Sequence, residues 1–366
     1  MSLYRTPYKQ LLFICLYLSF TSGSAFAGDK VLDLLNSSAI ISNKASSSVL
    51  LSIAKAGDRL VTVGERGIIL LSDDNGVTWQ QVSDVPVSVT LTDVVFPNAK
   101  QGWVVGHSGV VLHSNDAGES WALQLDGNEA AQLTLAEAQK SLELKEAGAK
   151  KALKNAQYLI KEGPDKPFLA VHFSNEHDGI IVGAYGLALT TTNGGKTWQS
   201  IATKIPNKRG NHLYAIAQTK QQMVIVGEQG ALFTKNANEE YFQQLITPYN
   251  GSFFGVQLFD DASMLVYGLR GNIWRSNAQQ ATWQQIVHQE KSTITAGTLL
   301  IDDVFILADE EGHLFISADA GANFSPLITL EVPNITDLIF NGDTIIITGP
   351  RGSNRIPFNT DVWEDK

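Results

Sequence analysis

The sequence predicts an all-β fold, a seven-bladed β-propeller with one helical insertion, and three observations predict it. A Gly-x-x-Gly turn framed by apolar runs recurs along the chain. A box of hydroxyl residue, Asp, Gly, Thr or Ser and an aromatic follows most of these turns. The spacing is near-constant apart from one long step. The turns lead with Gly64, Gly106, Gly183, Gly227, Gly268, Asp309 and Gly349, at steps of 42, 77, 44, 41, 41 and 40 residues. All but one step match the ~40–45-residue period of a four-stranded blade.

The boxes run Ser72, Asp74, Gly76, Thr78 and Trp79, then Ser114, Asp116, Gly118, Ser120 and Trp121, then Thr191, Asn193, Gly195, Thr197 and Trp198. A weaker fourth reads Thr234, Asn236, Asn238 and Tyr241; the fifth keeps Ser276, Thr282 and Trp283; the sixth is Ser317, Asp319, Gly321, Asn323 and Phe324. The seventh unit has the turn without a clear box. Within one unit, Thr92–Phe96, Gly102–Val105, Val110–His113 and Trp121–Leu125 are four short β-rich runs separated by turn residues. Gly-x-x-Gly is the hairpin between the second and third runs, because Gly takes positive φ without steric penalty. The box is the next hairpin, with its Asp accepting backbone N–H groups across the turn. One carboxylate per blade, ~40 residues apart, is turn chemistry and no metal site.

Residues 1–27 have the three regions of a signal peptide. Arg5 and Lys9 give a positive start, Leu11–Phe20 an apolar core, and Ala25-Phe26-Ala27 a small-x-small cleavage site before Gly28. Ten apolar residues span only ~15 Å as a helix, too short for a bilayer. The expected location is therefore periplasmic or otherwise exported. The single Cys, Cys15, lies inside this leader, so the mature chain has no disulfide, zinc-thiolate site or Cys nucleophile. Removing the leader's two cations takes the net charge from −10 to −12. That balance argues against a nucleic-acid partner and against general electrostatic docking on anionic lipid. The chain is expected to be monomeric and at most peripheral to a membrane. The His residues lack metal-binding spacing; His107 and His113 read as surface or turn residues, and no cofactor is implied.

The long step holds residues 128–165. Thr134-Leu135-Ala136-Glu137 reads as a capping-box start, and Gly163-Pro164 as a stop. Leu135, Ala138, Leu142, Ala149, Ala152, Ala156 and Leu159 form one seam. A single helix over 135–161 would be ~40 Å long and would carry the chain away from the next blade. A helical hairpin broken at Gly148 returns it more directly.

In a four-stranded blade, the hairpin between strands two and three shares a face with the connection to the next blade. The turns and the insertion therefore share one face. The residue before the second Gly of each turn is Arg66, Ser108, Tyr185, Gln229, Arg270, Glu311 and Arg351. Arg66, Arg270, Arg351 and Tyr185 are the candidate binding residues, since a planar guanidinium suits carboxylates and loops on a rigid scaffold commonly bind. Ring closure would bring Arg66 and Arg351 near each other. The turn arginines could alternatively cap turn carbonyls.

The boxes are similar to the BNR or Asp-box repeats of sialidases and related propellers. The fuller pattern, seven units with Gly-x-Arg-Gly in the first, fifth and seventh, resembles the photosystem II stability and assembly factor family, which has relatives in non-photosynthetic bacteria. The resemblance covers roughly residues 49 to 355. It implies a propeller that binds another protein, with Arg residues at the turn motif taking part. It also implies, as partner, the exported domain of an inner-membrane protein, such as a photosystem subunit or a transporter. A permanent structural subunit of an envelope complex fits the same residues. A sialidase-like glycosidase is the enzymatic alternative. Its Arg-Ile-Pro motif is matched by Arg355-Ile356-Pro357, but after the last repeat instead of before the first box. Its Tyr, Glu and Asp cannot be assembled from Tyr185 and Glu311.

Two segments could complete the seventh blade: the C-terminus, where Trp363 lies 39 residues after Phe324, or residues 31–48.

Overall fold

The structure is a computed structural model that describes residues 33–288, 291–301 and 303–358. The leader and Trp363 lie outside these residues. Seven antiparallel sheets follow one another along the chain, six of four strands and one of three, and each is ordered as its strands occur in sequence. Their first strands are Leu50–Ala56, Leu91–Val95, Phe168–Phe173, Leu213–Gln218, Phe253–Leu258, Ile294–Ile301 and Asp337–Asn341. Each packs beside the first strand of the next sheet, and the last packs beside the first. The ring is closed, with these strands innermost.

The second strand of each blade is covered on both faces by neighbouring blades, so it reads as an unbroken apolar run. Gly102–Gly106, Gly179–Gly183 and Met264–Gly268 are buried at every position. The box aromatics fill the seams. Trp121 is 6% exposed. It packs with Val61, Val63 and Leu71 of blade 1 and Val104 and Leu112 of its own blade, and meets Phe96 edge-on at 5.9 Å. Trp198 does the same between blades 2 and 3, 6.1 Å from Phe173. In the fourth unit the seam residue is Phe242, 4% exposed, whereas Tyr241 is 49% exposed. The turn there is tied by Glu239, whose N–H and carboxylate bond the backbone of Asn236, and this shifts the aromatic by one position. His113 also departs from expectation. It lies 4.7 Å from Trp103 between the sheets, and burial lowers its pKa.

The outer hairpins are held by one repeated network. Ser72 Oγ donates to Asp74 Oδ1 at 2.8 Å and accepts from Gly76 N at 2.8 Å; Asp74 accepts from Thr78 N at 2.8 Å and Thr78 Oγ1 at 2.6 Å. The same four bonds recur around Asp116 and around Asp319, with Asn323 replacing the hydroxyl in the latter. The Thr78 hydroxyl and amide hold the Asp74 carboxyl down to about 2.

The insertion is a helical hairpin, α1 (Gly127–Glu143) and α2 (Ala149–Glu162), with Gly148 at φ 84° between them and Gly163 ending α2. Its start corrects the capping-box reading. Asp126 is the N-cap, accepting from Asn128 N at 2.8 Å and Glu129 N at 3.0 Å. Thr134 is buried one to two turns inside α1 and donates to Ala130 O. Ala138, Ala149 and Ala156 of the expected seam are buried. Gly127 is fixed where it leaves the ring, because a Cβ would sit 2.7 Å from Ser108 O. From this base at the turn face, α1 runs against the outer strand of blade 3, Gln199–Ser200, and the loop after it. The hairpin therefore shares the turn face only at its base; its body lies along the rim.

Blade 7 has three described strands, the inner one followed by Thr344–Gly349 and Gly352–Pro357. The N-terminal segment lies alongside them as one helical turn at Ala45–Ser47, so close that a Cβ on Gly352 would be 2.1 Å from Ser46 O, and it adds no strand.

Trp121→Ala should cost about 3–5 kcal/mol, as truncating a buried Trp does. Urea unfolding measures it, and a loss below about 1 kcal/mol would show that the indole does not hold the seam.

Candidate functional site

Five of the turns are identical single turns of 3₁₀ helix whose third residue is left-handed. Arg66, Ser108, Tyr185, Gln229 and Arg270 all lie at φ 55–58°. The flanking glycines force this. A Cβ on Gly64 would lie 2.0 Å from Val49 O, and one on Gly67, itself at φ 72°, would lie 2.2 Å from Val87 O. A non-Gly residue in the left-handed region costs roughly 1–2 kcal/mol. Left-handed turn positions favour Gly, Asn or Asp, yet here they carry Arg, Tyr and Gln side chains. Residues held in such strain gather at functional sites. The residue before each of these can be structural: Glu65 accepts from Val49 N at 3.2 Å and Glu228 from His212 N at 2.9 Å.

Arg66 has a side chain 84% exposed, and Arg270 is exposed likewise. Arg351 departs from the pattern. Gly349 pairs directly with Gly352, so blade 7 turns in a tight two-residue hairpin and Arg351 is not left-handed. It stands exposed on the blade next to Arg66. The sixth turn also differs. Buried Asp309 replaces the first Gly and its carboxylate bonds Glu311 N, His313 N and His313 Nδ1, with Ser292 Oγ in close contact. Glu311 is exposed on blade 6, remote in sequence and blade from Tyr185 on blade 3, and Arg355 lies on the outer strand of blade 7. No acid–nucleophile pair is assembled among them. Among the described residues, no three His, Cys, Asp or Glu side chains converge as a metal site.

Tyr185 anchors a group that sequence reasoning missed. Lys166 sits 5.1 Å over its ring, and His212 meets it edge-on at 4.8 Å. From His212 the contacts continue to Tyr214 and from there to Phe254, at 6.3 and 5.2 Å. Tyr214 and Phe254 line the central channel, about 270 Å³. Burial first, then Glu228, pushes the Tyr214 hydroxyl up to about 12. Arg209 joins the same face by donating to Gln229 Oε1 at 2.9 Å.

The channel holds two carboxylates, also missed. Ser52 Oγ lies 2.9 Å from Asp93 Oδ1 and 3.0 Å from Asp337 Oδ2. Val171 N and Ile53 N bond the two carboxyls at 2.8 and 2.9 Å. One hydroxyl has one proton to donate. The bridge is therefore complete only when one carboxyl is protonated. Both residues are half-buried in the channel wall. Desolvation outweighs their hydrogen bonds, raising Asp93 to about 7 and Asp337 to about 6. The available signal was Thr-Asp at the same point of the first strands of blades 2 and 7.

The family model for the photosynthesis system II assembly factor YCF48 matches residues 78–148 and 149–327. No curated protein matches the sequence significantly. Among solved structures, YCF48 bound to a D1 peptide is similar over 88% of this chain and 99% of its own, with 16% identity and a TM-score of 0.64. YCF48 from Cyanidioschyzon merolae covers 89% and 99%, also at 16% identity, with a TM-score of 0.63. The WD40 propeller domain of Doa1 covers 88% and 95% at 10% identity, with a TM-score of 0.61. These likenesses establish a shared propeller fold.

Two outcomes follow from the site's physics. Arg66→Gly relieves the left-handed strain, partly offset by the entropy of Gly. It should leave stability unchanged or raise it by up to about 1 kcal/mol in urea unfolding; a loss above about 1 kcal/mol would mean that the side chain supports the fold. The carboxyls of Asp93 and Asp337 are raised, so between about pH 4 and 7 the folded ring holds protons that the unfolded chain has released. Their contribution to stability is present at the low end and is lost as pH rises, by up to about 1.4 kcal/mol per pH unit for each carboxyl. His113 and His172, whose pKa values burial lowers, contribute with the opposite sign. Subtracting the Asp93→Asn stability curve from that of the wild type isolates the acid. The difference should slope over pH 5–7, and a flat difference would contradict the shared proton.

Proposed function

The chain belongs to the photosystem II assembly factor YCF48 family, and from that premise we propose that it is a non-catalytic scaffold that captures another protein on the turn face of its ring. The observation that carries this reading is the set of left-handed, solvent-facing Arg66, Tyr185, Gln229 and Arg270. Their backbone is fixed by flanking glycines, which holds these exposed side chains at repeated positions of one rigid surface. A rigid face presenting exposed arginines and an aromatic has the composition of an interface hot spot. Arg209 and Arg351 add cations to it. The relative solved with a D1 peptide supports a protein as the partner class. With an export leader at residues 1–27, the capture would take place in the periplasm or its equivalent. The partner would be the exported part of an inner-membrane protein or transporter.

Changing Arg66, Arg270 and Arg351 to Ala together should weaken partner capture at least tenfold, since one hot-spot Arg typically contributes ~2 kcal/mol or more. Replacing residues 127–165 with a short Gly-Ser linker should also reduce capture and leave the ring folded. The measurement is a pull-down from the native host's membrane fraction, quantified against wild type with thermal unfolding as control. Equal recovery by all three proteins would place the binding face elsewhere.

A further inference from the structure

We propose that the groove between the helical hairpin and the rim of blades 3 and 4 seats a short apolar peptide segment flanked by carboxylates, contributed by the captured protein. This rests on the protein-binding reading above and names a second contact within it.

The groove encloses about 520 Å³ and opens at Tyr185. That volume is within the range of sites for ligands the size of a few residues. Its existence follows from the sequence of the hairpin. The ring-facing positions of α2 are Ala149, Ala152 and Ala156, too short to reach blade 3. α1 makes the hairpin's contacts with the outer strand and following loop of that blade, leaving a gap under α2. The opposite wall is apolar, with Leu187, Ile205 and Phe242. A floor of this kind takes aliphatic or aromatic side chains, and the open mouth leaves room for a main chain to enter and leave.

The charge of the rim selects what flanks those side chains. Lys151, Lys204 and Lys208 line the groove, and no Asp or Glu does, in a chain whose net charge is −10. Lys204 is already paired with Glu240 at 2.8 Å. Lys151 reaches across from α2 to the carbonyl oxygen of Lys208 at 2.5 Å. Among the described residues neither Lys151 nor Lys208 has a carboxylate partner. Two acids stand at the groove's edge but are bonded to its uncharged lining and not to these lysines: Glu137 accepts from Thr203, and Glu146 from Ser141 and Tyr241. A carboxylate entering between the two lysines would replace a neutral carbonyl as the acceptor of the Lys151 ammonium and would give Lys208 its ion pair, adding attraction between opposite charges to each bond.

The experiment uses fluorescein-labelled Glu-Leu-Phe-Leu-Glu as the probe and Lys-Leu-Phe-Leu-Lys as the control, with anisotropy read on the full chain. The acidic probe should bind at least tenfold more tightly than the control. The double variant K151E/K208E should reverse the preference. Ala152→Trp, which fills the gap, should abolish binding of both; because α2 could be disturbed by an indole, the charge-reversal pair carries the test independently. The Arg66, Arg270 and Arg351 triple variant should retain probe binding while losing partner capture, which separates this site from the turn face. The proposal is overturned if the two peptides bind alike, if the acidic probe fails to bind, or if the preference survives K151E/K208E. It is also overturned if wild type and K151E/K208E capture the membrane-fraction partner equally, an outcome that leaves the turn-face reading standing.

Discussion

Everything in this ring depends on closing it between blades that the chain does not hold together locally. Five of the seven joints are spanned by short connections, which keep neighbouring sheets close at little entropic cost. Two are not. Blade 7 meets blade 1 with no connection at all, and blade 2 meets blade 3 across the helical hairpin. A Thr-Asp pair stands at each of these two joints. Thr336 Oγ1 donates to Leu50 O at 2.7 Å and Asp337 accepts from Ile53 N. Thr92 Oγ1 donates to Phe168 O at 2.7 Å and Asp93 accepts from Val171 N. The corresponding position in blade 1 is Ser52, which bridges the two acids, and in the other blades Ala170, Ala215, Gly255 and Ala296, whose side chains stitch nothing. Apolar packing of Ile346 against Ile53, Leu60 and Trp79 completes the closure. A propeller that shares strands of one blade between its two termini would close by backbone pairing. Here the described blade 7 has strands from one end of the chain only, and side chain to backbone bonds take over.

The same arrangement ties closure to protonation. Ser52 sits between the two acids because blade 1 lies between blades 7 and 2. Its single hydroxyl proton cannot serve two carboxylates. The two stitches are therefore one coupled unit spanning four blades, and its full strength requires a proton that is lost as pH rises towards 7. Tyr267 extends the unit. Its hydroxyl is crowded against the bare Cα positions of Gly255 and Gly297, and burial with the Asp337 charge raises its pKa further from the physiological range.

Much of the architecture was legible because it depends on period and on glycine. Turns that admit no Cβ must be Gly wherever they recur, so Gly64, Gly106, Gly183, Gly227 and Gly268 mark the blades without reference to anything distant. What could not be read depends on partners far away in sequence. Asp93 and Asp337 look like ordinary polar strand residues until the ring brings Ser52 between them, 41 and 285 positions away. The misread N-cap has a local cause: Thr134 and Glu137 have capping-box spacing, while the true start is disguised by Gly127 and Asn128, which are weak helix formers kept there by the Ser108 backbone. Arg351 shares the Gly-x-x-Gly letters with Arg66 and Arg270, but Pro350 has no N–H to donate where Glu65 and Leu269 bond back to the Val49 and Ser252 carbonyls. The hairpin tightens to two residues, and the same motif gives a different backbone.

The two faces of the ring divide labour for a physical reason. On the outer-hairpin face of blades 1, 2, 3 and 6, the Asp or Asn and the Ser or Thr of the repeat are consumed by their own turn. That face has spent its polar groups on folding. On the turn face the backbone is equally rigid, but glycines fix it, and Arg66 and Arg270 extend exposed guanidinium groups from it. Blades 1, 3, 4 and 5 hold Arg, Tyr, Gln and Arg at the left-handed position, all exposed, so this surface offers side chains that can meet a partner. The aromatic contacts from Tyr185 through His212 and Tyr214 to Phe254 then extend this surface inward to the channel mouth, so that a partner held on the turn face would lie over the same opening into which the Asp93 and Asp337 stitches look.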